Sequence, residues 1–153
     1  MENILLPTPD SHIIQNRRVL NADITTVFHA ITEPEHLQHW WGPEGFTNTF
    51  NECDLRPDGK WDFIMHGPDG RDYHNECTFL KIEAPHLLVF NHTSAPEFQV
   101  VITLEEISPE KTGFTFTQVF ETAEAAGNLR AFCLEKNEEN IDRLEAELEK
   151  IRN

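Results

Sequence analysis

Residues 36–47, HLQHWWGPEGFT, place two adjacent tryptophans, Trp40 and Trp41, against Gly42-Pro43, with Phe46 close behind. A helix ends there, because proline lacks an amide hydrogen and clashes with the preceding turn, while glycine suits the backbone shape that closes helices. Pro34 fits the first turn of the same helix, where a missing N–H costs nothing. PEHLQHWW is therefore a short helix bounded at both ends. Neighbouring helix residues point about 100° apart, so one indole can face inward while the other covers a rim. Both readings stand at this point: the rings plug a core edge, or one of them lines the mouth of a pocket.

The sequence changes character on either side. Upstream, HIIQNRRVL (12–20) reads as a first strand, and Asp23 caps a short helix carrying Val27, Phe28 and Ile31 on one face. Residues 1–11, with two prolines and little periodicity, read as a flexible arm before a single domain over 12–153. Downstream, turn signals recur at Pro57-Asp58-Gly59, Pro68-Asp69-Gly70, Ala84-Pro85, Ala95-Pro96 and Ser108-Pro109. Between them lie six strand-like runs, several with clean alternation. Trp61, Phe63 and Met65 share one face, as do Phe98, Val100, Ile102 and Leu104, and Phe114, Phe116 and Phe120. Short strands with short turns predict an antiparallel meander.

The chain closes with a helical segment from about Glu124 to Ile151. At ~1.5 Å per residue it spans about 42 Å. Leu129, Phe132, Cys133, Ile141, Leu144, Leu148 and Ile151 form its apolar stripe. Glu135, Glu138, Glu139, Glu145, Glu147 and Glu149 read as its solvated face. Strand, two short helices, six strands and a long one-sided helix predict an α+β fold in which a seven-stranded antiparallel sheet wraps the C-terminal helix.

Composition narrows the function. With 12 Lys+Arg against 27 Asp+Glu the net charge is −15, which disfavours nucleic acid and anionic membranes. No run approaches the ~20 apolar residues of a membrane span, and the start of the chain carries no signal-peptide pattern; a cytoplasmic location is expected. Cys53, Cys77 and Cys133 are widely spaced and read as free thiols. His36 and His39 stand at i, i+3, but no third ligand follows from spacing, whether Cys53 or Asp54, so no metal site is expected. The serines, Ser11, Ser94 and Ser108, lie in no nucleophile elbow, and no phosphate-binding glycine loop is present. No catalytic residue and no cofactor are expected.

The order of elements is that of the helix-grip fold. The runs ADITTVFHAITEPEHLQHWWGPEGFT, DLRPDGKWDFIMHGPDGRDY and FLKIEAPHLLVF resemble the family named for the activator of the 90-kDa heat-shock-protein ATPase, in its stand-alone bacterial form, within the START-like SRPBCC superfamily. The resemblance covers roughly residues 12–151. Three positions depart from it: Ala22-Asp23 stands where Ala-Pro is common, Asp58-Gly59 replaces Gly-Gly, and Lys136-Asn137 replaces a Gly-Trp in the last helix. The resemblance implies a sheet closed on the last helix, often around a cavity that holds lipids, sterols or polyketide-like molecules. Some relatives catalyse cyclisation or hydrolysis, and the eukaryotic activators dock on a chaperone.

These readings define the expected site. Its cavity-side aromatics and thioether are Trp40, Trp41, Phe46, Trp61, Phe63, Met65, Phe98, Phe114, Phe116 and Phe132, with Tyr73 and Asn137 as polar members. The stripe is either solid core or a binding wall, and His66, His92 and Gln118 are further polar candidates. The expected function is non-enzymatic binding of a small apolar molecule by a monomer or weak homodimer. The alternatives are a chaperone-docking module and a cavity hydrolase or cyclase, the last needing His66 or His92 beside an inward carboxylate.

Overall fold

The computed structural model describes residues 9–152. Of the expected N-terminal arm, residues 1–8 lie outside the described residues, and Asp10–His12 forms one 3-10 turn. The elements that follow are β1 (Ile13–Leu20), α1 (Ile24–Thr32), α2 (Pro34–Trp40), β2 (Thr47–Cys53), β3 (Lys60–His66), β4 (Asp72–Glu83), β5 (Leu87–His92), β6 (Phe98–Ser108), β7 (Lys111–Val119) and α3 (Ala123–Arg152). The strands make one antiparallel sheet in the order β1-β7-β6-β5-β4-β3-β2. It curves around α3 in a helix-grip arrangement.

Local chemistry sets the boundaries. Asp23 caps α1 by accepting a hydrogen bond from the Thr26 amide, satisfying one of the helix's orphan donors. Pro34 opens α2, and Trp41 leaves it with extended backbone angles. β1 pairs with β7 at one edge while β2 forms the other edge, so α1 and α2 carry the chain across the open end of the sheet. Strand alternation then decides what faces inward. Asn16, Phe116, Ile102 and Leu88 stand side by side across four strands, as do Ile14, Gln118, Val100 and Phe90.

Two apolar clusters result. The larger lies under the C-terminal half of α3, where Ile141, Leu144 and Leu148 meet Trp40, Trp61, Phe63, Phe90, Phe114 and Phe116. The smaller joins Ile14, Phe120 and Ala126, with Phe98, Leu129 and Cys133 against it, under the first turns of α3. Phe98 touches both clusters.

Candidate functional site

The end of α2 builds one wall. Trp40 turns into the core, almost fully buried, and its indole nitrogen donates to the Ala30 carbonyl at 2.9 Å. Trp41 leaves the helix and slides under α3. Its ring meets Trp61 edge-on at 5.1 Å and Phe90 at 5.9 Å, and it is only half-buried. Gly42 then takes φ +101°, which favours glycine; a Cβ there would stand 2.8 Å from the flexible end of Met65, which would have to give way. Arg143 on α3 fixes this corner, donating to the carbonyls of His39, Trp41, Gly42 and Pro43 at 2.9–3.1 Å. These are the last carbonyls of α2 and the loop beyond it, which lack helical partners.

A cavity of about 140 Å³ opens beside this corner, between the sheet and the middle of α3. Its apolar wall is Trp41, Phe63, Met65, Phe98 and Phe116, completed by Gly42 and Pro43. Its polar wall is Asn75, His92 and Gln118 from the sheet, with Lys136, Asn137 and Asn140 from α3. The volume is roughly that of an apolar cavity that takes a single benzene ring. A larger groove of about 310 Å³ runs past Asn21, Glu145 and Glu149 on the far end of α3, with no aromatic ring in its walls.

The polar groups separate the two apolar clusters. Asn137 Nδ2 donates to Asn16 Oδ1 at 3.1 Å and to Gln118 Oε1 at 2.8 Å. Asn16 in turn donates to the Leu134 carbonyl and to Glu138. Hydrogen bonds from Asn16 and Arg18 hold the Glu138 carboxyl below the usual carboxylate range. On the sheet side, His92 Nδ1 lies 2.9 Å from the Pro96 carbonyl oxygen and Nε2 lies 2.8 Å from Asn75 Oδ1, whose amide nitrogen donates to the Tyr73 carbonyl. The His92 ring stacks on Phe98 at 4.6 Å. Burial pushes the His92 pKa down. Among the described residues the lining holds no carboxylate to pair with it.

The expected site residues divide accordingly. Trp41, Phe63, Met65, Phe98, Phe116 and Asn137 line the cavity. Trp40, Trp61 and Phe114 are buried in the core around it. The Trp61 indole nitrogen is buried with no acceptor among the described residues. Phe46 and Tyr73 pack on each other at 6.0 Å, outside the lining. Tyr73 lies opposite Met65 on the same face of the sheet, but past its covered part, and is 42% exposed. Asn75, two residues along β4 and opposite Phe63, takes the place expected of it.

Two readings need correction. Phe132 is 62% exposed and does not face the sheet; Lys136 Nζ lies 5.9 Å above its ring. Phe132 and Cys133 are neighbours on a helix and cannot both point inward; the inward place goes to Cys133. Glu147 is not solvated: it is 5% exposed, and His36 and His39 approach its Oε2 at 2.9 and 3.5 Å. His66 binds Thr49 and Asp72 in partly exposed hydrogen bonds and lies outside the lining. The cysteines lie in β2, β4 and α3. Burial pushes Cys53 up to about 12 and raises Cys77 and Cys133 as well, so none is a ready nucleophile.

Gly42, Pro43, Lys136 and Asn140 line the site without having been expected there, and Arg143 supports it. The signal for Asn140 was a polar residue inside the apolar stripe, one turn before Leu144. The signal for Arg143 was the set of orphan carbonyls that any helix ending in Gly-Pro leaves behind.

This geometry defines a START-like helix-grip protein with a small cavity under its last helix. Residues 21–149 match the family described as Activator of Hsp90 ATPase homolog 1-like protein, and the chain belongs to that family. Solved structures share the fold. A protein from Arthrobacter aurescens superposes with a TM-score of 0.84 at 24% identity, over 92% of this chain and 88% of that one. A protein from Nitrosomonas europaea gives 0.84 at 22% identity, over 95% and 99%. DynU16, a protein of the dynemicin biosynthetic locus, gives 0.69 at 19% identity, over 92% of this chain and 48% of its own. No curated protein matches the sequence. No described helix is long and apolar enough to cross a membrane.

Proposed function

We propose that this protein binds a small apolar molecule, without transforming it, in the cavity between the sheet and α3. The observation that carries this reading is the cavity's lining, a ring of aromatic and thioether side chains facing a few placed polar groups, which is the usual make-up of a small-molecule site. A volume near 140 Å³ suits one ring or a short branched chain inside, with any remainder of a lipid-, flavonoid- or polyketide-like guest emerging at the mouth. The dynemicin-locus relative supports the polyketide-like end of that range. His92 has both ring nitrogens engaged by protein oxygens and no carboxylate partner in the lining, which leaves it no free nitrogen to relay a proton to a guest.

The test is titration of single-ring and polyketide-like compounds while following Trp fluorescence, with Trp41→Phe as the control. Binding quenches or shifts the emission of the parent and leaves the variant far less responsive. No response from any compound, together with unmoved amide resonances around Trp41 and Asn137, would end this reading.

A further inference from the structure

The two polar walls of the cavity differ in what they have left to offer. On the sheet side, the groups satisfy one another: His92 is held between Pro96 and Asn75, and Gln118 accepts from Asn137. On the helix side, Asn140 Oδ1 accepts from the Gly42 amide at 3.1 Å. Only an oxygen can accept there, so the orientation of the amide is fixed and Nδ2 is its other end. That Nδ2 donates to no group among the described residues, although Asn140 is 8% exposed and lines the cavity. The nitrogen is not one of the fully buried atoms, so solvent reaches it at the cavity, and a guest there takes the place of that solvent. One turn earlier, about 6 Å along the helix, Lys136 also lines the cavity. Its ammonium donates to Glu139 at 3.3 Å and lies 5.9 Å over the Phe132 ring, and it has further hydrogens to give.

Taking the ligand-binding reading above as its premise, we infer that the guest carries a carboxylate, received by Asn140 Nδ2 and Lys136 Nζ, and presents its ring to Trp41, Phe63 and Phe116. The ligand class is a small aromatic acid. The carboxylate replaces Glu139 as the partner of Lys136; the side chains of that pair are 35% and 23% exposed, and ion pairs that solvent reaches contribute little. The chain's net charge of −15 opposes an anion at a distance, but charges beyond a screening length of roughly 8 Å count for little at physiological salt. The nearest groups decide.

The test uses the whole chain at pH 7 with three probes followed by calorimetry and Trp fluorescence: benzoate, benzyl alcohol and acetate. Benzoate binds about tenfold or more tighter than benzyl alcohol, the factor expected of a charge-assisted hydrogen bond, and acetate, lacking a ring, binds weakly. Asn140→Asp keeps an oxygen for the Gly42 amide while turning the donor into an acceptor; it reverses the order of benzoate and benzyl alcohol. Lys136→Met weakens benzoate by several-fold more than it weakens benzyl alcohol, and, being a partly exposed position, decides the matter if circular dichroism shows Asn140→Asp misfolded. If benzoate binds no better than benzyl alcohol, or the folded variants bind benzoate as the parent does, the acid assignment is overturned while the apolar cavity stands. If neither ring compound binds the parent, both readings fall.

Discussion

The two halves of the groove beneath α3 are built from the same strands and finished in opposite ways. Under the C-terminal half, Ile141, Leu144 and Leu148 press onto stacked rings, with Trp61 and Phe63 at 4.3 Å and Trp61 and Phe79 at 5.9 Å. Toward the N-terminal half, the helix turns Lys136, Asn137 and Asn140 to the sheet, and these meet Asn16, Gln118 and the cavity. The same concave face is thus a sealed core under the C-terminal half of the helix and a furnished hollow beside it at the helix's middle. Polar residues on the helix separate the two: amides that satisfy one another hold the chains together without filling the space as leucine would.

The sharpest way to break that contrast is to cut each half once. Leu144 is fully buried, and Leu144→Ala is expected to cost about 2–5 kcal/mol in urea unfolding, as cavity-forming core changes do. Asn137→Ala, which removes two side-chain hydrogen bonds, is expected to cost about 1–2 kcal/mol. Equal costs would mean the hollow end is as tightly specified as the filled one. Next in size is the paired comparison of the indoles. Trp40→Phe strands the buried Ala30 carbonyl and is expected to lose about 1–3 kcal/mol while leaving the ligand-induced fluorescence change intact. Trp41→Phe leaves far less of that change instead. Gly42→Ala forces a side chain into the left-handed region and toward Met65; a loss of about 1–2 kcal/mol follows from the backbone alone, read as a lower thermal midpoint.

The smallest effect is pH. His92 has a folded pKa below its ordinary value, so the unfolded chain takes up the proton first. Stability on this account is full above about pH 6.5 and declines as pH falls below it. His92→Phe flattens that part of the profile, and an unchanged slope would remove His92 from the account. At the alkaline side the sign is opposite in direction of travel: the raised thiols of Cys53 and Cys77 cost stability as pH rises above about 9, where unfolded thiols ionise and buried ones do not.

The architecture was open to reading from the chain because its signals are local and strong. Alternation marks β3 and β6, Asp23 and Pro34 open two helices, and Gly42-Pro43 closes one. The site was half open. Trp41, Phe63, Met65, Phe98 and Phe116 could be placed inward by their alternation or by the helix break, yet the same pattern placed Trp61 and Phe114 with them, and only packing shows that these lie behind the wall. Phe132 and Glu147 show the limit of reading a 30-residue helix by stripes. The contact line crosses the helix surface from Cys133 through Asn137 and Asn140 to Leu144 and Glu147. A stripe chosen for hydrophobicity follows Phe132 off that line and leaves Glu147 outside it. A void has no residue type of its own, so the hollow could be inferred only from the polar breaks in the stripe.

Arg143 bears on how the hollow can open. One guanidinium moors the peptide groups of His39, Trp41, Gly42 and Pro43 to the helix that forms the opposite jamb, so those two sides of the doorway travel as a single piece. Widening it by lifting α3 carries the Trp41 corner along and gains little room. The give has to come from the strand side, at the β3–β4 hairpin with Met65 and Asn75, where a guest would lean.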